Sequence, residues 1–189
     1  MKTLMLIAIC AFAILLALPQ ANILSAQGDS EVQRGLNISP VPVNLEGLSR
    51  ALVARGSYLV NAVAECGRCH TAPPRYMPGF NPFLGEPAQV NTTNFLGRTT
   101  GSPRNLTPDA QGHPAGLTLE EFIFTMRTGT DLKGLSPFTP SATLDLLQGM
   151  PWPENLKMTD HDLRAIYEYL KAIPCVPGGA GLSLTRCDP

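Results

Sequence analysis

Two cysteines and a histidine share one short stretch of the sequence, AECGRCHTAPPR, at residues 64 to 75. Cys66 and Cys69 are three positions apart, and His70 directly follows the second cysteine. Cysteine and histidine are ligands for zinc, a CxxC pair can act as a redox-active dithiol, and CxxCH is a site of covalent haem attachment. The stretch therefore allows three chemistries, which the surrounding sequence has to separate.

Two of these chemistries have little support elsewhere in the chain. A structural zinc site needs four protein ligands at short spacings, and the remaining candidates, such as His113 and His161, are isolated. A thiol-disulfide oxidoreductase usually places its CxxC after a strand and at the start of a helix. Here a helical pattern runs into the motif and prolines follow it.

Covalent attachment of a haem explains all three residues together. Each thiol would form a thioether with one vinyl group, because two intervening residues let one helical turn reach both groups. His70 would then present its imidazole to the iron as the proximal ligand. We therefore expect one covalently bound haem c, anchored by Cys66 and Cys69.

The ligand on the other side of the iron is less directly indicated. Met150 lies in QGMPWPENL, where Pro151 and Pro153 predict an extended backbone that can hold a thioether towards a flat group. Met158 and His113 are the alternatives. Met150 is favoured as the distal ligand.

The N-terminus predicts export. Lys2 precedes an unbroken apolar run from Leu4 to Leu18, which is shorter than the roughly 20 residues that span a bilayer, and small and polar residues follow. We expect a signal peptide at residues 1 to 26, a flexible leader at residues 27 to 44, and no membrane span in the mature chain.

Two further cysteines lie in the C-terminal tail, residues 175 to 189. Cys175 and Cys187 are twelve positions apart across a Gly-rich loop. Exported proteins rarely keep an even number of thiols unpaired. A disulfide between these two cysteines is expected to pin the tail.

Helical patterns dominate the ordered part, which we place at residues 45 to 174. An amphipathic pattern over residues 48 to 66 leads into the motif. A second helix begins with a capping box of Thr118 and Glu121 and ends at Gly129, and the last has Thr159 as its N-cap.

Residues 72 to 117 lack sustained periodicity and predict a long irregular loop, which would need a large group such as haem to pack against. No convincing alternating strand pattern is present. The predicted class is therefore all-α. The net charge of −1 also leaves no cationic surface of the size that nucleic acid binding needs.

The sequence resembles the single-haem class I c-type cytochromes of bacteria, in particular the cytochrome c domains of periplasmic dehydrogenase subunits. The resemblance covers about residues 50 to 174, and its strongest elements are CGRCHT, NLTPD, MRTG and MPW before the last helix. It implies a small helical bundle around one haem, with His70 proximal and Met150 distal. It also implies that the first and last helices cross, with Gly56 and Tyr58 meeting Tyr167 and Leu170.

The function implied is that of a periplasmic electron carrier, or of an electron-transfer subunit of a dehydrogenase complex, rather than an enzyme. A redox protein is expected as donor and another as acceptor, and a periplasmic dehydrogenase is a candidate for one of them. Arg104, Arg127 and Trp152 are candidates to bind the haem propionates. The alternatives are a catalytic or gas-binding haem protein with an open or labile distal position, and a thiol-disulfide oxidoreductase.

Overall fold

The computed structural model describes residues 28 to 70, 104 to 132, 150 to 177 and 187 to 189. Residues 28 to 37 form helix α1. The other helices are α2 (Arg50–Tyr58) with a π-helical continuation (Leu59–Val63), α3 (Gly67–His70), α4 (Leu119–Thr128), α5 (Trp152–Asn155) and α6 (Asp160–Ala172). The predicted signal peptide and residues 72 to 103 of the predicted loop lie outside the described residues.

The described residues contain helices and irregular segments, with an isolated β-bridge between Pro108 and Pro114, and none of their elements named above is a strand. The predicted all-α class is therefore confirmed. None of the helices in these ranges combines the length and the apolar character needed to cross a bilayer.

Helix α4 has the ends that its sequence predicts. The Thr118 hydroxyl accepts from the Glu121 main-chain N–H at 3.3 Å, and the Glu121 carboxylate accepts from the Thr118 N–H at 2.9 Å. Gly129 ends the helix in the left-handed conformation, with φ of 70°. A capping box and a glycine stop satisfy main-chain groups that a helix end leaves unpaired, so this boundary is set locally.

Helix α6 is the central element of the core. Thr159 caps its N-terminus through a hydrogen bond from the Asp162 N–H, and acidic residues in the first turn suit the helix dipole. Its apolar face is buried against α2 and α4. The buried residues of this face are Leu163, Ala165, Ile166, Tyr167, Tyr169, Leu170 and Ala172.

Helices α2 and α6 cross in close contact at Gly56. A Cβ atom built on Gly56 would overlap the carbonyl group of Ala165 and lie 2.7 Å from the Cβ atom of Tyr169. The predicted crossing is present, but the expected partners of Gly56 were wrong. Tyr167 instead packs edge-on against Phe122 of α4, with ring centroids 5.6 Å apart.

Tyr58 also differs from the expectation, because it is 45% exposed on α2. It lies two residues beyond the crossing point, about 200° around the helix from Gly56, and so on the opposite side. Of these two residues, only Gly56 makes the close approach of α2 to α6.

The segment before α2 packs on the bundle. Gly35 of α1 lies against the main chain of Ala54, and Val41 is buried in the core. The Asn44 N–H donates to the carbonyl of Ala172 at 2.8 Å. This part of the predicted leader therefore contacts both α2 and α6 in the structure.

The crossing predicts that Gly56→Ala destabilises the protein. Overpacking a tight contact costs about 1–3 kcal/mol, which exceeds the roughly 0.5–1 kcal/mol that alanine gains over glycine inside a helix. Urea unfolding of the purified variants measures the difference. Gly28→Ala is the control, since no atom lies within 4 Å of a Cβ at Gly28. Equal stability of the two variants would show that the crossing tolerates a larger residue.

Candidate functional site

The chain changes direction sharply between the end of α2 and the CxxCH motif. Glu65 has φ of 48°, in the left-handed region that non-glycine residues rarely adopt. The Cys66 N–H then reaches back to the carbonyl of Val60 at 3.0 Å. This bond joins residues six positions apart, one more than in the Schellman ending of an α-helix, and it follows a π-helical turn. The ending delivers Cys66 to the start of a new helical turn.

That turn carries the three candidate residues. The N–H groups of Cys69 and His70 both donate to the Cys66 carbonyl, at 3.3 Å and 3.0 Å. Cys66 and Cys69 are half-buried thiols that are not joined to each other. The structure therefore brings the three residues together, with Cys66 directly before α3 and Cys69 and His70 within it.

The imidazole of His70 is oriented by a main-chain group from outside the motif. Its Nδ1 lies 2.7 Å from the carbonyl oxygen of Arg104, which can only accept, so Nδ1 carries the proton. Burial lowers the pKa of His70, and the charge of the Arg104 guanidinium lowers it further. The neutral imidazole is favoured, with the lone pair of Nε2 available to a metal.

The segment that supplies this carbonyl is held by a buried polar network. The Asn105 side chain accepts from the N–H and the hydroxyl of Thr107, and it donates to the carbonyl of Val176 at 3.0 Å. The Val176 N–H donates in turn to the Thr107 hydroxyl at 3.1 Å. Asn105 and Thr107 have no exposed surface, so these bonds lie in a poorly solvated environment and resist distortion.

The tail that contributes Val176 contains the disulfide expected from the sequence. The structure joins Cys175 to Cys187, with their Cα atoms 5.8 Å apart. Cys175 is adjacent to Val176 in the chain. The disulfide therefore ties the C-terminus beside the network that supports Arg104.

Met150 is half-buried and packs against the core. The backbone after it differs from the expectation, because Trp152–Asn155 forms a helical turn rather than an extended segment. Pro153 lies in the first turn of α5, where a missing N–H removes no helical hydrogen bond. Prolines near a helix start are thus compatible with the turn that the structure adopts.

The Trp152 ring lies against the end of α4. A Cβ atom on Gly129 would be 2.6 Å from three atoms of the indole ring. Gly129 therefore serves two purposes: its positive φ ends α4, and its missing side chain makes room for Trp152.

The other methionines and histidines of the described residues, including the alternative distal candidates Met158 and His113, occupy different environments. Met126 is buried in the core of α4, as its helical spacing indicates. Met158 is half-buried before the cap of α6. His113 lies in a turn, where its N–H donates to the Asp109 carboxylate at 2.8 Å, and His161 is exposed in the first turn of α6.

A connected path of contacts runs from His70 to the segment containing Met150. The His70 imidazole contacts the Arg104 carbonyl, and the Arg104 guanidinium pairs with Asp131 at 2.6 Å. Asp131 is two residues beyond Gly129, which contacts Trp152. The end of α4 therefore links the candidate proximal and distal segments.

The thiol environment does not favour disulfide exchange. Burial raises the pKa of Cys66 to about 11. A reactive thiol in an oxidoreductase instead has a lowered pKa, because the thiolate is the nucleophile. The arrangement thus favours thiols that react once and remain bonded.

A zinc centre would need more ligand side chains than the described residues bring together around the motif. No group of three or more His, Cys, Asp or Glu side chains arranged to hold a metal ion occurs within the described ranges. Two thiols on one turn and one oriented imidazole fit haem c instead. The porphyrin offers a vinyl group to each thiol, and its iron offers a coordination position to the imidazole.

Two arginines suggested as propionate ligands have protein partners. Arg104 donates to Asp131 and to the carbonyl of Ala115, and Arg127 donates to the carbonyl of Leu156 and to Asp160.

The buried hydroxyl of Thr125 in α4 has no hydrogen-bond partner among the described residues. An unsatisfied buried hydroxyl costs about 1–3 kcal/mol, so we expect a polar group from outside these residues to meet it.

Sequence reasoning missed the roles of the Arg104 carbonyl and of Asp131. A main-chain carbonyl leaves no signature in residue types, although the NLTPD segment that follows Arg104 was part of the resemblance. Asp131 closely follows the MRTG segment of the resemblance, but its pairing with Arg104 spans 27 residues and leaves no local signal.

Two curated proteins are similar to this chain. Over 119 residues, 63% of the chain, it is 29% identical to the cytochrome c subunit of alcohol dehydrogenase (quinone) from Gluconobacter oxydans. Over the same length it is 28% identical to the gluconate 2-dehydrogenase cytochrome c subunit of Pantoea cypripedii. The predicted likeness to cytochrome c subunits of dehydrogenases is confirmed at this level, and it agrees with an electron-transfer haem protein.

The aligned region covers 21% and 22% of these two relatives, so the chain spans about a fifth of their length. No protein-family profile matches the chain, and no solved structure matches it.

The contact between Gly129 and Trp152 predicts a stability difference between two glycines of nearly equal φ. Gly116 has φ of 71° and open space around it, whereas Gly129 has φ of 70° and the indole ring beside it. Alanine at either position costs about 1–2 kcal/mol in the left-handed region. Gly129→Ala should lose about 1–3 kcal/mol more through overpacking.

Urea unfolding measures both variants, and fluorescence reports directly on Trp152 because it is the single tryptophan of the chain. The emission should change in Gly129→Ala and stay unchanged in Gly116→Ala. Equal losses of stability with unchanged emission in both variants would contradict the contact.

Proposed function

We propose that this chain is a one-electron carrier that binds a single haem c covalently through Cys66 and Cys69, with His70 and Met150 as iron ligands. The observation that carries the proposal is the bond from His70 Nδ1 to the Arg104 carbonyl, immediately behind the two thiols. Metal-bound histidines usually donate their second ring nitrogen to such an acceptor, which sets the tautomer and the ring orientation.

Each residue has a defined task in this proposal. Cys66 and Cys69 would hold the porphyrin through two thioethers, and His70 would offer Nε2 to the iron. Met150 would offer a thioether as the second ligand, and the packing of Trp152 on Gly129 would hold its segment. A bound haem would supply reversible one-electron chemistry at its iron. The protein contributes fixed ligands, so little rearrangement accompanies a change of charge.

The chain would then pass electrons between other proteins without catalysing a reaction itself. Both relatives are cytochrome c subunits of dehydrogenases, and this supports a dehydrogenase as the electron donor and a second redox protein as the acceptor. The expected signal peptide and the disulfide between Cys175 and Cys187 favour a periplasmic location.

Replacing each of the two cysteine pairs by serine in turn tests the covalent attachment of haem. The full chain is produced in a bacterial host that matures c-type cytochromes and is then run on a denaturing gel stained for haem. Haem should remain on the parent protein. Cys66→Ser/Cys69→Ser should lose all haem staining, because both thioether sulfurs are gone.

The matched control is Cys175→Ser/Cys187→Ser, which also removes two cysteines and should keep its haem. A parent protein without covalent haem, whose Cys66 and Cys69 react with thiol reagents, would overturn the proposal and favour the oxidoreductase alternative.

The distal ligand is tested separately on the oxidised holoprotein. Methionine ligation gives a low-spin haem with a weak band at the red end of the visible spectrum, and Met150→Ala should abolish that band. Met158→Ala should retain it, since Met158 is also half-buried against the core but is not the proposed ligand. A high-spin parent spectrum would overturn the carrier function and favour the catalytic or gas-binding alternative.

A further inference from the structure

The ion pair behind His70 is the most deeply buried one among the described residues. Arg104 Nη2 lies 2.6 Å from Asp131 Oδ1, and the two side chains are 13% and 5% exposed. The pair between Arg55 and Asp162 has the same 2.6 Å distance, but its side chains are 50% and 16% exposed. Burying charges costs several kcal/mol per ion, so a buried pair without another role is weak evidence for stability.

The pair fixes the residue that orients His70. The Arg104 guanidinium is bound by Asp131 after the end of α4 and donates to the carbonyl of Ala115 at 3.3 Å. The main chain of the same residue accepts the hydrogen bond from His70. One residue therefore connects the imidazole to two other parts of the fold.

The guanidinium and the Asp131 carboxylate also place opposite charges behind His70. A nearby positive charge favours the reduced form of an iron centre, since reduction lowers the positive charge of that centre. A nearby negative charge does the opposite, so a paired Arg104 and Asp131 partly cancel each other.

We propose that Arg104 is a positioning residue for His70 and that its ion pair with Asp131 sets the reduction potential of the haem. The inference rests on the proposed covalent attachment of haem at Cys66 and Cys69. It adds a second determinant of the potential, a buried pair of opposite charges on the proximal side, to the identity of the iron ligands.

The test is the midpoint potential of the holoprotein, measured by spectroelectrochemistry. Asp131→Asn leaves the arginine charge unbalanced and should raise the potential. Arg104→Gln removes the positive charge that faces Asp131 and should lower it. A purely structural loosening of His70 would move both variants in the same direction, because both break the same pair.

The double variant Arg104→Gln/Asp131→Asn removes both charges and should have a potential between those of the single variants. It also avoids leaving one buried charge unpaired, which is the main threat to folding in the single variants. Arg55→Gln and Asp162→Asn are the matched controls. Water reaches this pair through the half-exposed Arg55 side chain and screens it more strongly, so the shifts should be several times smaller.

Opposite shifts that the double variant cancels would establish the inference. Shifts of the same sign, shifts no larger than those of the controls, or a double variant displaced beyond either single variant would overturn it while leaving the proposed function intact. A parent chain that carries no covalent haem would overturn both, and the stained gel identifies that case before any potential is measured.

Discussion

At Gly56 the main chain of α2 lies directly against the main chain of Ala165 in α6, with no side chain between them. This close approach fixes the rotation and the depth of both helices, because a Cβ atom would force the backbones apart. The other elements are then placed by the two helices. The π-helical segment continues α2, and a left-handed turn at Glu65 follows it. The hydrogen bond from the Cys66 N–H to the Val60 carbonyl then places Cys66 beside the core. The geometry of the motif therefore begins with one glycine ten residues before it.

The orientation of His70 depends on a second constraint, which lies in an irregular segment. Loops are ordinarily poor supports for a precise site because few contacts restrain them. Here Asn105 and Thr107 make up for that through a closed set of buried hydrogen bonds to Val176, and the adjacent disulfide holds the tail that carries Val176. The C-terminal tail thus stabilises a site to which it contributes no ligand.

Local chemistry made part of this architecture predictable. The capping box at Thr118 and the stop at Gly129 depend on residues within one or two turns, and CxxCH carries its spacing in the sequence. The nearest atoms to Gly56 belong to Ala165 and Tyr169 rather than to the expected Tyr167 and Leu170, because Tyr167 lies two positions, about 200° around α6, from Tyr169. The turn after Pro151 was missed because proline is compatible both with an extended segment and with a helix start. The bond from His70 to the Arg104 carbonyl could not be predicted from residue types, since every residue has a carbonyl.

The chain contains two cysteine pairs, and the structure places them in different settings. Cys175 and Cys187 come from opposite ends of a loop and are joined across it, which is the arrangement in which a disulfide constrains the chain most usefully. Cys66 and Cys69 share one helical turn, where a disulfide would close a very short loop and restrict little. Burial also raises the pKa of Cys66, which opposes a role in repeated thiol exchange. Two adjacent thiols followed by a neutral, oriented imidazole are best explained by a ligand that both thiols bind permanently and that the imidazole coordinates.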